Sequence, residues 1–251
     1  MTTPLAHDRW LRPVDVPAGA AVRLIMLPYS GAGAAAYRDW APHLPSDVGC
    51  QRVQLPGRQD RHAEPPLETV EELVAALAAV LRDTDDNLPY ALFGHSMGAL
   101  VAYRLAVETR RPALLAVSGW SPAGGNAAAL RALADGPDAG MLDAMRRMGT
   151  VPPGAMLSPE LAGSVVPAFR ADLHVCAAYA DDAASVDCPV VAFAGRDDPL
   201  FPPDALRCWR DRTPDFRGLR VLPGGHMFVH DHPLVISADV VHLLREVAGT
   251  P

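Results

Sequence analysis

The sequence places Ser96 between two glycines, in Gly94-His95-Ser96-Met97-Gly98. The apolar run YALFG (90–94) precedes it and GALVAYRLAVE (98–108), a helical pattern, follows. A strand that turns straight into a helix is the setting of a nucleophile elbow: the glycines let the two elements close in while the serine takes a strained backbone at the apex. A purely structural Gly-rich turn is the plainer alternative, and the strand-to-helix context favours the nucleophile.

A serine hydroxyl is a weak nucleophile near neutral pH, so it needs a base, and the base needs an acid to orient it. After an elbow of this kind the acid precedes the base in the chain. VVAFAG (190–195) runs into Arg196-Asp197-Asp198-Pro199, and LRVLPG (219–224) runs into Gly225-His226-Met227-Phe228. His226 is therefore the expected base. Of the two aspartates, Asp198 lies three residues past Gly195 and has the turn it needs to reach His226, while Asp197 is expected to be solvated or to brace the loop. His95, inside the elbow, should point away from the nucleophile. His226 and His230 have the i, i+4 spacing of a metal pair but lack the glutamate of H-E-x-x-H, so no metal site is expected. The Met97 N–H, next to the nucleophile, is one expected oxyanion donor, and the loop Leu27-Pro28-Tyr29-Ser30-Gly31-Ala32-Gly33 should supply the other. That loop lacks the Gly-Lys-Ser/Thr ending of a phosphate-binding loop.

The elements that must hold these groups can be read from periodicity. Buried-strand runs occur at 21–27, 50–55, 90–94, 114–119, 190–195 and 219–224, separated by helical segments. This alternation predicts an α/β fold, a mostly parallel central sheet with helices on both faces. Thr69 and Glu72 fit a capping box for a helix whose apolar face is Val70, Leu73, Val74, Leu77 and Leu81. The rhythm breaks between LLAVSG (114–119) and VVAFAG, where the chain is longer than one crossover needs. Residues 122–180 read as a helical lid insertion, carrying MLDAMRRMG and SPELAGSVVPAFRADLHVCAAY and interrupted at Pro152, Pro153 and Pro167. A single domain over residues 1–251 is expected.

Composition narrows the class. The sequence contains no lysine, and its 22 arginines against 29 acidic residues leave a net charge of −7, which argues against nucleic acid as the partner. The four cysteines, Cys50, Cys176, Cys188 and Cys208, show no paired spacing and read as reduced. Neither a leader segment nor a membrane-length apolar run is visible, so a cytoplasmic, monomeric protein is expected.

Taken together, LPYSGAG (27–33) with Trp40, QLPGRQDRHAEPP (54–66), GHSMGAL (94–100), FRADLHVCAAY (169–179), GRDDP (195–199) and GGHMF (224–228) resemble the type II thioesterases of polyketide and nonribosomal peptide biosynthesis, stand-alone enzymes of the α/β-hydrolase fold. The elbow is shared by many hydrolases; the segment from Pro56 to Pro65 and the R-A-D-L segment are more selective. The resemblance implies hydrolysis of acyl groups from the phosphopantetheine arm of acyl or peptidyl carrier proteins, which clears stalled or misprimed synthases. It implies no cofactor of the enzyme's own, a triad of Ser96, Asp198 and His226, and an oxyanion hole of the Ser30 and Met97 N–H groups. Where this chain has Ser30 the family usually has alanine; the backbone donor survives that change, and the hydroxyl is expected to alter acyl fit. Met141, Met145, Met148, Val166 and Phe169 are candidates to line an acyl channel, packing inside the lid being their other role. A small-molecule carboxylic ester hydrolase and a non-enzymatic binding module on a hydrolase scaffold are the competing readings.

Overall fold

Short Val-, Leu- and aromatic-rich runs with no polar face require a sheet buried on both sides, and the computed structural model forms one. It describes residues 9–13, 16–83, 88–109, 112–151 and 159–249. Strands β1 (Leu11–Arg12), β2 (Val22–Leu27), β3 (Val48–Val53), β4 (Tyr90–His95), β5 (Leu114–Ser118), β6 (Val190–Gly195) and β7 (Phe216–Leu222) lie in the order β1-β3-β2-β4-β5-β6-β7. All neighbours are parallel except β1, which runs antiparallel to β3. The two-residue β1 carries too little pattern to be read from sequence, and β7 begins three residues before the expected Leu219.

Alternate residues along each strand feed two separate cores. Ile25, Leu27 and Leu92 pack against α1 (Val70–Asp83) and α2 (Met97–Thr109), whereas Leu24, Met26 and Phe93 pack against α7 (Pro233–Ala248). Helix α1 starts where the capping pattern places it: the Glu72 N–H donates to the Thr69 hydroxyl (3.2 Å). That hydroxyl in turn donates to the Glu72 carboxylate (2.8 Å), so the Glu72 side chain is held by the cap itself.

Between β5 and β6 stand three helices, α3 (Ala127–Ala134), α4 (Asp138–Met148) and α5 (Pro159–Ala178), which share an apolar cluster of their own. The expected break at Pro167 does not occur, because α5 runs through it. An interior proline loses one helical hydrogen bond and crowds the carbonyl four residues back. Pro152 and Pro153 lie outside the described residues. The short helix α6 (Phe228–Asp231) follows β7 and leads into α7.

Candidate active site

Ser96 sits at the junction of β4 and α2 with φ of +54°, a left-handed conformation that costs a non-glycine residue free energy. Backbone bonds hold it there: its N–H donates to the Ser118 carbonyl (2.8 Å), and its carbonyl accepts the Ala99 N–H (2.9 Å). The flanking glycines leave no space for side chains. A Cβ on Gly94 would lie 2.1 Å from the Gly98 carbonyl oxygen, and one on Gly98 would lie 2.3 Å from the Leu27 carbonyl oxygen. The end of β2 is thus pressed against the first turn of α2, which brings the Leu27–Gly33 loop beside the elbow.

Two loop ends meet at the same edge of the sheet. A Cβ on Gly195 would lie 2.5 Å from the Gly225 carbonyl oxygen, so the chain leaving β6 touches the chain leaving β7 backbone to backbone. Across this contact Asp198 Oδ2 meets His226 Nδ1 at 2.8 Å, and His226 Nε2 meets Ser96 Oγ at 3.0 Å. The other Asp198 oxygen accepts the Leu200 N–H (2.8 Å) and the Phe201 N–H (3.2 Å), which fixes the carboxylate in its plane. Asp198 is 3% exposed and Ser96 8%. Asp197 points to solvent. His230 takes a different partner from His226, its Nε2 meeting the Tyr29 hydroxyl at 3.0 Å. Burial pushes that phenol up to about 12 and pulls the His230 imidazole down.

The loop after β2 carries Ser30, buried beside the elbow, and its Gly31 N–H donates to Asp172 on α5 (2.7 Å). Burial pushes the thiol of Cys176, also on α5, up to about 12. Met97 opens α2, at the positive end of the helix dipole.

His95 makes no hydrogen bond with Ser96, and its ring lies beside that of His226, with centroids 5.0 Å apart. It sits opposite Ser118 in the β4–β5 register, and its Nδ1 meets the Ser118 hydroxyl at 2.9 Å. Burial first, then the neighbouring His226 and His230, holds its imidazole well below the ordinary histidine range. A neutral ring therefore backs the histidine that hydrogen-bonds Ser96. The i, i+2 alternation of β4 could have indicated a buried His95, but not which ring it would meet.

Of the five channel candidates, Met141, Met145, Val166 and Phe169 are buried in the cluster shared by α3, α4 and α5, with Met148 packed at its margin. Phe169 and Met145 reach down onto the Leu27–Gly33 loop: a Cβ on Gly31 would lie 3.2 Å from Phe169 and 3.6 Å from Met145. Met145 also lines a cavity of about 350 Å³ together with Tyr29, Gly31, Arg58, Val165 and His230. Gly149, just past α4, packs on Met227 next to His226. The inserted helices therefore contact both loops that flank Ser96.

Comparison with known proteins identifies the family. Residues 22–242 match the family model of the thioesterase domain. The chain is 35% identical over 248 residues to thioesterase PikA5 of Streptomyces venezuelae, covering 96% of this chain and 88% of that protein. It is 31% identical over 230 residues to gramicidin S biosynthesis protein GrsT of Aneurinibacillus migulanus, covering 89% of each. The solved structure of BorB, a type II thioesterase from the borrelidin biosynthetic cluster, superposes with a TM-score of 0.84 at 31% identity, covering 98% of this chain and 100% of that one.

Proposed function

The chain belongs to the thioesterase family, as a type II thioesterase of the α/β-hydrolase fold, and from that premise we propose that Ser96, His226 and Asp198 hydrolyse acyl thioesters carried on the phosphopantetheine arm of acyl or peptidyl carrier proteins. The observation that carries the assignment of roles is the continuous hydrogen-bonded line Asp198–His226–Ser96, ending on a serine held at positive φ.

The geometry supports the following sequence. His226 Nε2 accepts the Ser96 proton as Oγ attacks the thioester carbonyl carbon, and Asp198 holds Nδ1–H so that Nε2 is free to accept. The oxyanion is met by the Ser30 and Met97 N–H groups. Collapse breaks the C–S bond, and the leaving sulfur takes the proton from His226, giving the free phosphopantetheine thiol and an acyl ester on Ser96. Water, deprotonated by His226, then attacks the ester carbonyl, and the acid leaves as Ser96 recovers its proton. No step calls for a cofactor, since the phosphopantetheine arrives with the substrate.

The three inserted helices act in this reading as a lid over the site, with Met145, which lines the cavity beside the Tyr29–Gly33 loop, as a channel candidate. Clearance of stalled or misprimed synthases follows from acting in trans on loaded carriers. The test is turnover of one acyl group presented on a carrier protein and as a p-nitrophenyl ester. A kcat/KM at least 100-fold higher on the carrier is expected, whereas equal or higher turnover of the free ester would favour a small-molecule esterase. No helix among the described residues is long and apolar enough to cross a membrane.

A further inference from the structure

Arg58 and Asp172 are 114 positions apart, and their side chains meet as a bidentate ion pair: Nη1 to Oδ2 at 2.6 Å and Nη2 to Oδ1 at 2.9 Å. Both are almost fully enclosed, with side chains 5% and 1% exposed. Burying two charges is costly, and an apolar pair of similar size is often as stable or more so. A fold that keeps such a pair here calls for a reason other than stability.

The remaining bonds of the pair supply one. Arg58 Nη1 also donates to the Ala32 carbonyl (3.0 Å), its Nε donates to the Pro56 carbonyl (3.2 Å), and Asp172 Oδ2 also accepts the Gly31 N–H (2.7 Å). The pair therefore grips two consecutive residues of the loop that carries Ser30. In that loop the Ala32 N–H donates to the Tyr29 carbonyl (3.0 Å), and Gly31 has φ of +78°, the pattern of a type II turn with Ser30 and Gly31 at its centre. Type I and type II turns differ by a flip of the central peptide, here Ser30–Gly31. Glycine tolerates either form, so Gly31 itself does not choose. The Asp172 carboxylate does choose: it accepts the Gly31 N–H and would repel the Ser30 carbonyl that a flip turns toward it.

We propose that the buried Arg58–Asp172 pair is a positioning device for the oxyanion hole, anchoring Gly31 and Ala32 so that the turn carrying Ser30, and with it the Ser30 N–H, stays fixed against the elbow and aimed at the substrate carbonyl. The pair touches no reacting atom. It acts through the backbone, and it makes helix α5 of the insertion part of the catalytic geometry. The role rests on the reading of Ser96 and Ser30 given above.

The test uses the full-length enzyme, an acyl-N-acetylcysteamine thioester as substrate and an alkyl boronic acid as tetrahedral mimic. In R58M/D172L an apolar pair replaces the ionic one but leaves the Gly31 N–H and the Ala32 and Pro56 carbonyls without those partners, so the melting temperature should fall by several degrees while the enzyme stays folded. Its kcat should fall about 100-fold with KM within threefold, and the boronate Ki should rise by the same factor as kcat falls, as for loss of an oxyanion donor. D172N is the second variant, keeping the shape and one acceptor oxygen; a kcat loss of 10-fold or more with KM unchanged is expected. If either folded variant keeps kcat within threefold of wild type, or loses activity only in step with its melting temperature, the pair is structural and the proposal is wrong. S96A run alongside separates the two levels: residual activity there removes the underlying assignment, whereas a dead S96A beside fully active pair variants removes only the positioning role.

Discussion

Asp198→Asn is the substitution whose outcome the geometry constrains most tightly. One Asp198 oxygen accepts two backbone N–H groups, from Leu200 at 2.8 Å and Phe201 at 3.2 Å, and the other faces His226 Nδ1 at 2.8 Å. An asparagine in the same place must turn its carbonyl oxygen toward the two N–H donors, because its NH2 group would confront them donor to donor. The NH2 group then faces His226 and forces Nδ1 to act as an acceptor. The imidazole proton moves to Nε2, the atom that must accept from Ser96. The shape of the site survives while the base is in the wrong tautomer, a change that costs about 10⁴ in kcat in a serine triad. At about 1.4 kcal/mol per decade this is roughly 5 kcal/mol of transition-state stabilisation. Thiol release from an acyl-N-acetylcysteamine thioester, followed with a disulfide indicator, gives kcat directly, and chemical denaturation checks that the fold is retained. Asp197→Asn, altering a solvent-facing carboxylate, should stay within about twofold by the same surface-substitution logic. An Asp198→Asn enzyme with more than a tenth of wild-type kcat, or an Asp197→Asn enzyme equally impaired, would refute the argument.

Other outcomes follow from particular contacts. Ser96→Ala and His226→Ala should each lower kcat at least ~10³-fold, with the double variant little worse than either single, because the groups act as a unit; additive losses in a kinetic comparison would contradict this. Gly94→Ala should yield no stably folded enzyme, since the new methyl would lie 2.1 Å from the Gly98 carbonyl oxygen; soluble protein with a wild-type melting curve would count against the elbow geometry. Phe169→Ala should cost about 3–5 kcal/mol in urea unfolding, because the ring is fully buried in the insertion core; a change in chain-length preference at unchanged stability would instead make it a channel wall. His95 and His230 have folded-state pKa values below their unfolded ones, so the unfolded chain binds more protons on acidification. Their contribution to stability is complete above the unfolded value of about 6.5 and is lost as pH falls below it; the decline from pH 7 to pH 5 should be shallower in His95→Gln, measured by denaturant midpoint.

How much of this was legible beforehand depends on how local the signal is. The elbow is local: two glycines, a serine and a strand-to-helix change of period fall within a few residues, so Ser96 could be singled out directly. His226 and Asp198 are remote from Ser96, but each follows an apolar run ending in glycine, and strand ends in a parallel sheet converge on one edge. The Arg58–Asp172 pair had no such guide. Both residues stood in motifs that marked the family resemblance, yet nothing along the chain says that a loop after β3 and a helix more than 100 residues later share a buried contact. The channel candidates failed to resolve for a different reason. Helical periodicity identifies the apolar face of α4 or α5 but not whether that face meets another helix or an empty channel, and in the structure most of it meets other helices. The two-residue β1 was invisible because a strand that short carries no alternation to read.

The most direct test of the account is to follow one carrier protein by intact mass. An acyl-loaded carrier is mixed with wild-type enzyme or with Ser96→Ala, and both proteins are weighed over time. Wild-type enzyme should return the carrier to the mass of its free phosphopantetheine form and release one equivalent of acid, with an acyl adduct on a Ser96 peptide when the reaction is quenched early. Ser96→Ala should leave the carrier loaded and carry no adduct. A carrier that stays loaded in the presence of wild-type enzyme, or is unloaded equally fast by Ser96→Ala, would contradict the assignment of this site as a carrier-protein thioesterase.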